Sequence, residues 1–342
     1  MAENDIILQV RDLKVHFKMD EGLLKAVDGV DYDVRERRTL GVVGESGCGK
    51  TVSVFATMQL LPKYAQLSGE MLLLKRDGKP LDTPVDIAKL ERNGQEMRDI
   101  RGGQIAMIFQ EPMKAFSPIH TIGNQLCEGI LLHNTDNEEE AERIAIDILA
   151  KVGMSNPDIR LKQYPHELSG GMRQRAMIAM ALACNPMILI CDEPTTALDV
   201  TVQAQVLELV NGLKDDLGSA VIFITHDLGV IAEMSDDVAV MYLGKIVEAC
   251  DVDTLFHNPL HPYTAALLRS IPTIHRRSEG PLESIEGTVP YPMNLPKGCG
   301  FYSRCSRAVD GVCNVDDIPS VEIEPGHFIR CAVVEKEMKR GE

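Results

Sequence analysis

Leu40-Gly41-Val42-Val43-Gly44-Glu45-Ser46-Gly47-Cys48-Gly49-Lys50-Thr51 is a short apolar run that passes directly into a glycine-rich turn closed by a lysine and a threonine. A continuous apolar run of this length fits a strand buried on both faces. Residues 52–61 then carry a helical pattern that Pro62 stops. A G-x-x-x-x-G-K-T spacing between a strand and a helix is the phosphate-binding loop. Its glycines let successive backbone N–H groups converge on phosphate oxygens at a helix N-terminus. Gly44, Glu45, Ser46, Gly47, Cys48 and Gly49 are thus candidate phosphate contacts. Lys50 is expected to reach the β- and γ-phosphates of a nucleoside triphosphate, and the Thr51 hydroxyl to bind Mg²⁺. Cys48 follows the same logic: beside Lys50 at a helix N-terminus, its thiolate should be favoured.

Working outward, residues 6–10, 13–17 and 26–30 read as separate short strands, and 104–110 as another. From about 121 to 182 the periodicity is helical, and Thr135-Asp136-Asn137-Glu138 offers a capping box for a helix over 139–152. Strands return at 187–191 and 220–225, each followed by a helical pattern, so the middle of the chain is α/β with a parallel sheet. Residues 238–243 and 245–248 suggest a final strand pair. Beyond Asn258 the character changes. Residues 281–342 hold Pro281, Pro290, Pro292, Pro296, Pro319 and Pro325 with few aliphatic runs, so that segment needs an external staple.

Two further motifs carry chemistry. Ile188-Leu189-Ile190-Cys191-Asp192-Glu193 is an apolar strand ending in two carboxylates: Asp192 is placed to hold a metal ion and Glu193 to polarise the attacking water. Leu168-Ser169-Gly170-Gly171-Met172-Arg173-Gln174-Arg175 reads as a second phosphate nest, a hydroxyl and glycine amides opening a helix. One chain cannot easily bring both nests to a single γ-phosphate.

Taken together these motifs resemble the ABC transporter ATPases, with 168–175 similar to the family's signature. The resemblance implies an α/β fold: a RecA-like P-loop ATPase core, an antiparallel β subdomain and a helical signature subdomain, here about 111–182. It also implies that Leu168, Ser169, Gly170, Gly171, Met172 and Gln174 face ATP held by a second subunit. Gln110, in Phe109-Gln110-Glu111-Pro112, looks like the glutamine-loop residue that senses Mg²⁺ and water. Asp199, in Ala197-Leu198-Asp199, looks like the D-loop, and His226 like the switch histidine at the γ-phosphate. Phe17 matches the aromatic that stacks on adenine, with ordinary core as the other reading. Cys48 stands where this subfamily usually has Ser, and Cys191 where a small apolar residue is usual; neither change removes a catalytic group.

Met172-Arg173-Gln174-Arg175, the run Asp192 through Thr201 and Asn258-Pro259-Leu260-His261-Pro262-Tyr263-Thr264 resemble the dipeptide/oligopeptide importer ATPases. That places a nucleotide-binding domain at 1–258 and a small C-terminal extension at 259–342. The extension carries Cys299, Cys305, Cys313 and Cys331, spaced C-x₅-C-x₇-C-x₁₇-C, without the close pairs of common zinc modules. Four thiolates on a loop-rich segment can hold a [4Fe–4S] cluster, which some subfamily members carry; zinc and free thiols stay open. The implied partners are a paralogous ATPase subunit, two transmembrane permeases and an extracytoplasmic solute-binding protein, with this chain peripheral on the cytoplasmic face of the inner membrane. The solute could be di- or oligopeptide, nickel chelate or oligosaccharide.

Bulk properties narrow the alternatives. The 342 residues carry a net charge of −16, a surface that repels nucleic acid phosphates. Residues 52–187 show no sustained heptads, against the coiled coil of a chromosome-maintenance or DNA-repair ATPase. The most apolar stretch, 177–191, is broken by Asn185-Pro186 and is shorter than the roughly 20 residues of a spanning helix. The polar, acidic start Met1-Ala2-Glu3-Asn4-Asp5 does not read as a signal peptide. Nine cysteines without a secretory signal point to a reducing compartment.

Overall fold

The computed structural model describes residues 5–196, 199–271, 285–293, 295 and 297–339. In chain order they form β1 (Ile6–Met19), β2 (Gly22–Arg35), β3 (Thr39–Val43), α1 (Lys50–Thr57), β4 (Ala65–Arg76), β5 (Lys79–Asp86), α2 (Gln95–Ile100) and β6 (Ile105–Ile108). There follow α3 (Pro112–Ala115), α4 (Ile122–His133), α5 (Glu138–Lys151), α6 (Pro157–Arg160), α7 (Gly170–Leu182), β7 (Ile188–Asp192), α8 (Val200–Leu217) and β8 (Ala220–Thr225). The remainder is α9 (Leu228–Met234), β9 (Asp237–Tyr242), β10 (Lys245–Asp251), α10 (Val252–His257), α11 (Pro262–Arg269), β11 (Val321–Glu324), β12 (His327–Ile329) and α12 (Ala332–Met338). The chain divides into two compact units, one of Met1–Leu8, Val34–Thr39 and Leu72–Ile224, the other of Gln9–Asp33, Leu40–Met71 and Thr225–Glu342.

In the first unit β6, β7 and β8 run parallel, with Ile105 opposite Ile188 and Ile188 opposite Ala220. Every residue of the three strands is buried, which is why they read as unbroken apolar runs instead of alternating ones. α4, α5 and α7 pack on one another. The cap of α5 differs from the expected box: Asn137 is the N-cap, its Oδ1 accepting from the Glu140 amide at 3.1 Å. Thr135 instead donates its hydroxyl to the Glu140 carboxylate at 2.7 Å. β4 and β5 form a hairpin that sequence reading did not find. It turns on Asp77 (φ 50°) and Gly78 (φ 72°), the two left-handed residues of a tight hairpin turn.

In the second unit β3 and β9 are parallel, and β9 and β10 form an antiparallel hairpin. β12 then adds antiparallel to β10, and β11 to β12, so the last strands extend the sheet through Ala249 opposite Phe328. β1 and β2 are long strands of 14 residues each, where separate short ones were expected. The chain passes the polar Arg11-Asp12 by placing Asp12 at φ 46°, its amide donating to the Asp31 carboxylate at 2.8 Å. At the base of this unit, Glu248 on β10 is fully buried. It accepts hydrogen bonds from the amides of Leu260 (2.7 Å) and His261 (3.0 Å) and pairs with His327 of β12 at 2.8 Å.

Candidate active site

The second unit holds the phosphate loop. It leaves β3 at Val43 and enters α1 at Lys50, as the strand–turn–helix spacing predicts. Gly49 sits at φ 104°, and a Cβ there would meet the Ala26 carbonyl oxygen at 2.2 Å, so no other residue fits. Gly49 caps α1 and, having no side chain, makes no cap hydrogen bond of its own at this helix N-terminus, the end of a helix that favours phosphate. Lys50 is 5% exposed, its Nζ donating to the carbonyls of Gly44 (2.7 Å) and Glu45 (3.2 Å) across the mouth of the loop. The Cys48 carbonyl is held by the Gly244 amide at 2.9 Å. Cys48 itself is buried, with Sγ 3.9 Å from Lys50 Nζ. Burial outweighs the nearby ammonium and pushes its thiol up, which reverses the expected thiolate.

His226, exposed in this unit, directly follows β8 and precedes the Asp227 cap of α9. Phe17 is buried on β1 with its ring 5.8 Å from that of Tyr64, which is 62% exposed. Tyr64, not Phe17, therefore offers the open aromatic face.

The first unit holds the carboxylates. Asp192 ends β7 and is buried. Glu193 follows in a left-handed conformation, φ 47°, that costs a non-glycine residue on the order of 1–3 kcal/mol. Its amide donates to the Ile224 carbonyl at 2.9 Å, tying it to the adjacent strand. Its carboxylate accepts from Gln110 Nε2 (3.1 Å) and from Thr196 Oγ1 (3.0 Å). Gln110 and Glu193, predicted independently, are thus brought together. Thr196 was missed as a site residue, although it lies within the run Asp192 through Thr201. Ser169 is the exposed N-cap of α7, its hydroxyl accepting from the Met172 amide at 3.4 Å, with Gly170 exposed beside it. Gln174 and Leu168 depart from the expected nest. Both are buried, and Gln174 Nε2 donates to the Pro194 carbonyl at 2.6 Å, so that its amide braces the segment behind Glu193. Asp199 caps α8 through the amides of Thr201 and Val202; Ala197 and Leu198 lie outside the described residues.

In the extension, Cys299, Cys305, Cys313 and Cys331 line one small cavity with Phe301 and Ile318. The Cys299 amide donates to the Cys313 carbonyl at 2.7 Å, which pins two of the loops together. Burial pushes the Cys299 thiol up to about 11 and raises those of Cys305 and Cys331. As they stand, no three His, Cys, Asp or Glu side chains among the described residues are arranged to hold a single metal ion. The donor set itself, four thiols facing an apolar space, suits a thiolate-ligated group.

Comparison with known proteins agrees with this geometry. Residues 27–196 match the ABC transporter family, and residues 247–313 match the oligopeptide/dipeptide transporter C-terminal region. A probable peptide ABC transporter ATP-binding protein of Sinorhizobium fredii is 47% identical over 96% of this chain and 95% of its own. The chain belongs to the ABC transporter family. The oligopeptide transport ATP-binding protein AppD of Bacillus subtilis is 44% identical over 97% of this chain and 98% of its own. The dipeptide transport protein DppD of the same organism is 44% identical over 95% and 91%. A solved ATP-binding cassette, MJ0796, dimeric and bound to ADP and Pi, superposes with a TM-score of 0.61 at 23% identity, covering 72% of this chain and 99% of that one. The fold is accordingly that of an ABC ATPase cassette, and the chain is an ATP-hydrolysing member of the family. No helix among the described residues is long and apolar enough to cross a membrane.

Proposed function

We propose that this chain is the ATPase subunit of an ABC importer for di- and oligopeptides, working by ATP-driven dimerisation with a paralogous ATPase subunit on the cytoplasmic face of the inner membrane. The observation that carries the reading is an acidic strand end in which Glu193, left-handed in its backbone, has its carboxylate held by Gln110 and Thr196, in a chain that also carries a phosphate loop. In this reading the loop amides and Lys50 bind the phosphates, and Thr51, Asp192 and Gln110 hold Mg²⁺. Glu193 orients the attacking water, and His226 contacts the γ-phosphate. Ser169, Gly170, Gly171 and Met172 serve the partner's ATP, and Asp199 stands at the dimer interface. Two permeases would form the path through the membrane, and a solute-binding protein would deliver the peptide. Cys299, Cys305, Cys313 and Cys331 would hold a [4Fe–4S] cluster that staples the extension. The names of the peptide-transport relatives and the match at 247–313 support the substrate class.

The test is uptake by the assembled transporter in vesicles. ATP-dependent accumulation of labelled di- or oligopeptide is expected. Uptake of a nickel chelate or an oligosaccharide with no peptide uptake would overturn the substrate class.

A further inference from the structure

Residue 45 is held on three sides, and two of the three holds come from the C-terminal extension. Its amide donates to the Tyr263 hydroxyl at 3.0 Å, and its carbonyl accepts from Lys50 at 3.2 Å. Its carboxylate takes both arms of the Arg304 guanidinium, Nη1 to Oε2 at 2.7 Å and Nη2 to Oε1 at 3.1 Å. Such a fork fixes direction as well as charge. Arg304 is itself locked. Its side chain is 4% exposed, its Nε donates to the Glu286 carbonyl at 3.0 Å and its Nη1 to the Tyr242 hydroxyl at 3.3 Å. The guanidinium lies 5.9 Å from the centres of the Tyr242 and Phe301 rings. Phe301 packs edge-on to Tyr242 and Tyr263, at 5.3 Å from each. Cys305, one of the four thiols, is the next residue after Arg304.

A carboxylate inside a loop that receives a triphosphate is an electrostatic liability unless it is neutralised and turned aside. We propose that Arg304 is a positioning residue for the phosphate loop. It neutralises Glu45 and fixes the loop's first turn, so that ATP affinity depends on the folded C-terminal extension. The proposal rests on the reading of residues 44–51 as the ATP-binding loop.

The experiment is equilibrium binding of Mg-ATP to the full chain, with thermal unfolding of each variant alongside. Binding by the unmodified chain checks the loop reading itself; no binding there would overturn that reading and the coupling with it, whereas binding that the variants leave unchanged would overturn the coupling alone. Arg304→Gln leaves Glu45 uncompensated, and affinity should fall about tenfold, a loss that shrinks as salt is raised. The double variant Arg304→Gln/Glu45→Gln removes the stranded charge and should recover most of the loss, which a general loosening of the extension would not allow. Arg304→Lys keeps the charge but not the fork and should fall between. Affinity within twofold of the unmodified chain in both Arg304→Gln and Arg304→Lys would overturn the proposal. So would a double variant as weak as Arg304→Gln. If Arg304→Gln does not fold, Arg304→Lys and the double variant decide the matter on the same terms.

Discussion

Glu193, proposed above to orient the attacking water, sits on a backbone that glycine would prefer. Glu193→Gln keeps the size and the partners Gln110 and Thr196 but removes the charge that is proposed to orient water. Turnover should drop ~10²–10⁴-fold, the range of general-base contributions, while Mg-ATP still binds; steady-state hydrolysis and equilibrium binding on the same preparation check both halves. Cys48 predicts the opposite of what its position suggests. A buried thiol with a raised pKa holds less thiolate at neutral pH than a free one, so a small maleimide should label it slowly in the folded chain, with or without nucleotide. Mass-spectrometric mapping of labelled cysteines would show this, and rapid labelling of Cys48 would contradict it. The loop, the acidic pair and Gln110 were legible because each is a short motif at a strand end. The state of Cys48 was not, because the helix field is visible in sequence whereas the depth of burial is set by distant residues.

Among the elements, α7 makes the sharpest prediction. Ser169 and Gly170 are exposed at its start, where its own chain leaves them open. Ser169→Arg should leave this subunit's nucleotide binding through Lys50 intact and abolish hydrolysis at the partner's site in the assembled transporter. Hydrolysis at both sites at the normal rate would rule out action in trans. β3, β7 and β8 were readable as apolar runs of five or six residues. β4 and β5 were missed although Asp77-Gly78 is a hairpin signal, because β4 alternates only in part and β5 is largely exposed. β11 and β12 escaped for another reason: three or four residues carry too little pattern, and β12 is specified by pairing with β10 far upstream.

At the scale of the molecule, the extension is joined to the core through polar contacts that no local pattern announces, such as the fork between Arg304 and Glu45 across 259 residues. Glu248 is the deepest of these contacts. Burial alone would raise its pKa, but hydrogen bonds from His327 and the amides of Leu260 and His261 prevail and hold it below the usual carboxylate value. A carboxylate depressed on folding stabilises above its unfolded pKa and ceases to do so as pH falls through the folded one. Acidification to below the usual carboxylate range should therefore release residues 321–339 to proteolysis, and Glu248→Gln should do so at neutral pH, with fewer acceptors for three donors. If the four late cysteines bind a cluster, anaerobically purified protein should be brown with about four irons per chain, and any single Cys→Ser should lower the iron and expose the extension to protease. Colourless protein with one zinc per chain would favour a tetrahedral thiolate site, and metal-free protein with an ordered extension would defeat both. The late arrival of β12 also sets a clock on biosynthesis. His327 is 79 residues beyond Glu248, so at ~5–20 residues per second roughly 4–16 s separate their synthesis. Through that interval β10 is an open strand edge whose Glu248 has its Leu260 and His261 amides but not His327, a nascent chain exposed to edge-to-edge association and to chaperones until its last strand is made.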